Sequence, residues 1–153
     1  MSSTPANEFN SKLWVWGTAA SKPRVLHTMI RVKDFAAAMR FYVDGLGMKQ
    51  MDEPFHVETR RATGVFLGFE DYAAGGCVEL AQNWDAVGPY SHGTGYGHVA
   101  IGCPDIAGLV TKLEAMGAEV TLRPTVLISG GPHVAFVKDP DGYSVELIET
   151  RRS

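Results

Sequence analysis

The chain has 153 residues, enough for one compact domain or two very small packed modules. It is 45% hydrophobic and 20% charged, which excludes a disordered or collagen-like chain. The net charge is −3 and no basic stripe is visible, so a nucleic-acid partner is not expected; the Arg60-Arg61 and Arg151-Arg152 pairs read as solvated surface. No apolar run approaches the roughly 20 residues that a membrane-spanning helix needs. Cys77 and Cys103 are too few for a disulfide framework and lie in apolar contexts. With an N-terminus that lacks a signal-peptide layout, they give a cytoplasmic expectation.

Residues 1–23 read as an N-terminal arm, polar except for the run holding Trp14 and Trp16. From Arg24, "RVLHTMIRV" is rich in branched residues and predicts a strand. Asp34 is a candidate N-cap for a helix with apolar residues at Phe35, Ala38, Met39, Tyr42 and Leu46, stopped by Gly45 and Gly47. A further strand is expected between Lys49 and Arg60. "RATGVFLGF" and "GCVELAQNW" predict two strands joined by the turn-rich "EDYAAG".

The pattern then repeats. At an offset of 71 residues, His27 falls on His98, Ile30 on Ile101, Asp34 on Asp105 and Phe35 on Ile106. "GVFLGF…CVELA" corresponds to "HVAFVK…SVELI", placing Glu79 on Glu146 at an offset of 67. The shorter offset is what shorter loops in the second copy would give. Each copy reads strand, helix, then two or three strands, over 24–92 and 93–150. The first strand of each copy carries a histidine and the last a glutamate.

These four residues are candidate metal ligands. Alternation puts Cys77, Glu79 and Ala81 on one face of their strand, with His27, Met29 and Arg31 on one face of theirs. A glutamate among apolar neighbours is costly unless paired or metal-bound. Two imidazoles and two carboxylates suit a borderline divalent ion: nickel, cobalt, zinc, ferrous iron or manganese. With open positions, such an ion acts as a Lewis acid on a substrate oxygen and stabilises an enediolate made by removing a proton beside a carbonyl. Glu79 and Glu146 are the candidate bases. No nucleophile is set beside a base, and "GTGYG" leads into a strand rather than a phosphate-cradling helix. His56, His92 and His133 have no counterpart in the repeat and read as surface or pocket-rim residues.

Over residues 24–150 the stretches "LHTMIRVKD", "FYVDGLGMK", "VELAQNW", "YGHVAI" and "AFVKDPDGYSVELIE" resemble glyoxalase I, lactoylglutathione lyase, of the vicinal oxygen chelate superfamily. The resemblance implies an α+β fold of paired βαβββ modules forming a cupped mixed sheet, with the modules pairing across a homodimer. It implies metal ligands at His27, Glu79, His98 and Glu146. One chain would supply the first two and its partner the last two. It implies isomerisation of the hemithioacetal of methylglyoxal and glutathione to S-D-lactoylglutathione, with Glu146 the main base and Glu79 assisting. Glutathione is then a cosubstrate, held by Arg31 and Asn83. The short form resembles the nickel- or cobalt-activated class, with zinc as the alternative. Ala81 stands where these enzymes usually have threonine, and Ser129 where short bacterial relatives often have lysine. An epimerase usually has glutamine in place of Glu79, and an extradiol dioxygenase uses two histidines and one glutamate on ferrous iron. Non-catalytic binding modules of this fold commonly lack the full ligand set.

Overall fold

The computed structural model describes residues 23–70 and 75–150. The arm with Trp14 and Trp16, and residues 71–74 of the expected turn, lie outside them. By its contacts the chain falls into two compact units.

The first unit takes the described residues up to Phe35 together with Gly47–Gly88. Its strands are β1 (His27–Arg31), β2 (Lys49–Gln50), β3 (Phe55–Val57), β4 (Ala62–Gly68) and β5 (Cys77–Asn83). They form one sheet in the order β1-β5-β4-β2, with β3 also on β4. β1 runs parallel to β5, and the remaining pairs are antiparallel. Period-two alternation buries Ile30, Val65, Leu67, Val78 and Leu80. The opposite face carries His27, Met29 and Arg31 beside Cys77, Glu79 and Ala81. The strand expected between Lys49 and Arg60 is two short pieces. Pro54, which has no N–H to give a ladder, separates them, and a 3₁₀ turn at Glu58–Arg60 follows.

The second unit takes Pro89 onward together with Ala36–Leu46. Its strands β6 (His98–Cys103), β7 (Glu119–Val126), β8 (His133–Lys138) and β9 (Ser144–Glu149) form a sheet in the order β6-β9-β8-β7. β6 runs parallel to β9, as β1 does to β5. The first strand of each copy therefore pairs with the last, which is why the histidine and glutamate strands are neighbours. Helix α1 (Phe35–Met39) starts directly after Asp34, and α2 (Ile106–Ala115) directly after Asp105, whose side chain accepts from Gly108 N at 2.9 Å.

The helix expected to run to Leu46 is α-helical only to Met39. Arg40–Gly45 is a π-helical segment, marked by the wide Leu46 N to Phe41 O bond at 2.9 Å. Its Gly45 lies so close to α2 that a Cβ there would meet Leu113 Cδ2 at 2.8 Å. Phe41, Tyr42, Ile106, Val110 and Leu113 are buried with Val137, Val145 and Leu147 of the sheet. The helical segment of the first sequence copy thus packs within the second unit.

Candidate metal centre and substrate cavity

The strand register fixes each histidine against a glutamate. Across β1 and β5, His27 pairs with Cys77 and Met29 with Glu79. Across β6 and β9, His98 pairs with Ser144 and Ala100 with Glu146. In both sheets the glutamate lies two residues beyond the partner of the histidine, so both side chains leave the same face on one diagonal. His27 Nε2 is 3.0 Å from Glu79 Oε2, and His98 Nε2 is 3.0 Å from Glu146 Oε2. The carboxylates are the less exposed partners, at 17% and 16% of their side-chain surface. Each imidazole also rests on a ring of its own sheet. His27 is 5.2 Å from Phe66 and His98 is 5.3 Å from Phe136.

A His–Glu contact alone does not make a metal site. His133 Nδ1 lies 2.9 Å from Glu149 Oε2, and that pair has no counterpart in the repeat. One observation sets the other two apart as a matched set. They use the same atoms at the same spacing in corresponding strands. Two ligands about 2.1 Å from one ion and at right angles to each other are about 3.0 Å apart, so this spacing suits adjacent ligands. The other ring nitrogen of His27, Nδ1, is buried with no hydrogen-bond partner among the described residues, so the ring's one polar contact is the Nε2 contact with Glu79. Burial also pushes the Glu79 carboxyl up from its ordinary value, opposed by His27 and Arg31, as for a carboxylate short of compensating charge. The donor set fits a divalent ion. Among the described residues no group of three or more potential ligands converges.

Beside Glu79 the first unit holds a cavity of about 320 Å³. It is lined by Arg31 and Asn83, the two residues expected to hold a glutathione group, and by Met29, Phe55, Arg60 and Glu79. The sequence offered no signal for Phe55, which lay in the ambiguous stretch before β4. Arg60, read as solvated surface, is exposed but lines the cavity. Its neighbour Arg61 is bound in a bidentate pair with Asp85, with Arg61 Nη2 to Oδ1 at 2.8 Å. Ala81 is buried in the cavity wall. Ser129 lies in an exposed turn after Leu127 and Ile128, and Gly131 N closes that turn on Ile128 O.

Of the unrepeated histidines, His56 is exposed and its Nδ1 is 3.0 Å from Thr63 Oγ1, a hydroxyl that accepts from Trp84 Nε1 at 2.8 Å. His92 is half-buried and stacks on Tyr143 at 4.0 Å.

This fold, with its doubled His–Glu strands, is that of a known superfamily. Residues 24–147 match the Glyoxalase/Bleomycin resistance protein/Dioxygenase superfamily, and the chain belongs to it. A probable lactoylglutathione lyase of Vibrio cholerae is 41% identical over 133 residues, covering 87% of this chain and 95% of the relative. The lactoylglutathione lyase of Haemophilus influenzae is 41% identical over 128 residues, covering 84% and 93%. Among solved structures, the trypanothione-dependent glyoxalase I of Leishmania major superposes with a TM-score of 0.72 at 38% identity, covering 84% of this chain and 87% of that one.

Proposed function

We propose that the protein is a metal-dependent lactoylglutathione lyase that isomerises the hemithioacetal of methylglyoxal and glutathione to S-D-lactoylglutathione. One observation carries the reading: the same Nε2–Oε2 pair, at 3.0 Å, stands at corresponding register positions in both sheets. The curated relatives at 41% identity support the activity. His27 and Glu79 of one chain, with His98 and Glu146 of a second, hold one divalent ion, nickel or cobalt before zinc, so the working form is a homodimer with two sites. Bound there, the ion supplies a Lewis acid for the substrate oxygens.

The chain's own residues do the rest. Arg31 clamps a carboxylate of the glutathione group in a bidentate fork, and Asn83 hydrogen-bonds beside it. Glu146 takes the proton from the thiohemiacetal carbon and returns it to the adjacent carbonyl carbon, with Glu79 assisting. The hydroxyl proton passes to the neighbouring oxygen, so nothing is lost or gained. Cys77 and Cys103, both buried and neither in a disulfide, suit a reducing, cytoplasmic setting.

Isomerisation, assayed with methylglyoxal and glutathione after metal removal and separate reloading with nickel, cobalt and zinc, tests this reading. Activity should return with nickel or cobalt and fall by about 10²–10⁴ in Glu146→Gln. No activity with any metal would reject the substrate. Full activity in Glu146→Gln would reject the base.

A further inference from the structure

The face of the first sheet that carries Glu79 is built in rungs. One rung is Met29, Glu79 and Phe66. The next is Arg31, Ala81, Gly64 and Phe55, read across β1, β5, β4 and β3. Two small residues thus lie between an arginine at one end and a phenylalanine at the other. Neighbouring strands are about 4.8 Å apart, so the ends of this rung are about 14 Å apart.

Gly64 is not merely tolerated there. A Cβ at Gly64 would collide with Phe55 Cζ and lie 2.7 Å from its Cε2. The ring of Phe55 is therefore seated in the notch that the missing side chain leaves. Phe55 also lines the 320 Å³ cavity with Glu79, Arg31 and Asn83. It also stacks on Phe66 at 5.2 Å and 29°, and Phe66 lies 5.2 Å from the His27 ring.

We propose that Phe55, seated on Gly64, is a specificity-determining residue: its ring is the wall against which the apolar substituent of the 2-oxoaldehyde half of the substrate packs. The inference rests on the isomerase reading above. A substrate lying along the rung places its carboxylate at Arg31 and its apolar end at Phe55, with Glu79 one rung away. The bulk of the Phe55 ring then limits the substituent that fits. An aromatic ring over a cross-strand glycine also supports the sheet. That contribution acts on every substrate alike and leaves their ratio unchanged.

The test compares kcat/KM for the glutathione hemithioacetals of methylglyoxal and phenylglyoxal in metal-loaded wild type, Phe55→Ala and Phe55→Leu. Phe55→Leu keeps an apolar side chain on Gly64 should Phe55→Ala fail to fold. The phenyl-to-methyl ratio should rise by about tenfold or more in Phe55→Ala, and by less in Phe55→Leu. Gly64→Ala, which pushes the ring into the cavity, should lower the ratio. An unchanged ratio in active variants would overturn the role of Phe55 alone. No turnover of either substrate by the wild type would overturn the isomerase reading and the role of Phe55 with it.

Discussion

Asp139 is 4% exposed, the one charged residue buried among the described residues. Three donors hold it. Tyr42 Oη donates to Oδ2 at 2.8 Å, and the backbone N–H groups of Asp141 and Tyr143 donate to Oδ1 at 2.9 and 2.8 Å. Burial still pushes its carboxyl above 3.8, with the donors opposing. Burial and the nearby Asp139 carry the Tyr42 phenol far above its usual range. Tyr42→Phe leaves a buried carboxylate one donor short and should destabilise by about 1–3 kcal/mol in urea titration. Because the folded protein holds the Asp139 proton more tightly than the unfolded chain, the stability Asp139 contributes is full below pH 3.8. It is lost as pH rises through the raised folded value. The stability of wild type relative to Asp139→Asn should therefore fall with rising pH across that acid window. A difference that rises with pH would contradict the assignment. "DPDGY" was legible in the sequence only as a mark of resemblance. Its contact with Tyr42 spans 97 residues, which no local pattern reports.

At the scale of elements, alternation and the repeat made most of the strands legible, though not the eight-residue β7. β4, β5, β6, β8 and β9 fall where branched residues alternate, and the offset histidines and glutamates marked β1 with β5 and β6 with β9 as matching ends. The stretch before β4 was not legible, because Pro54 breaks it into pieces too short to show a period. Phe55 and Arg60, which line the cavity, were missed with it. The π-helical turn was hidden for a different reason. Apolar spacing tells that a helix has a buried face, not how wide its turns are. Its Gly45 permits the close approach to Leu113. Gly45→Ala should cost about 1–3 kcal/mol by overpacking, lowering Tm by about 2–4 °C for each kcal/mol. An unchanged Tm would mean that Leu113 moves aside freely.

At the scale of the whole molecule, each unit carries one of the two matching His–Glu pairs, and the proposed site joins a pair from one chain to a pair from another. The sequence singled out the four residues, but register speaks only within a sheet and says nothing of how the pairs of two chains meet. Symmetry makes the claim testable. His27→Ala and His98→Ala chains, each inactive as a pure homodimer, are coexpressed with different tags and the mixed species is isolated. In that heterodimer one site has both substitutions and the other has none. With a shared site, the nickel-loaded heterodimer should regain about half of the wild-type activity per dimer. A heterodimer as inactive as its parents would contradict the shared site.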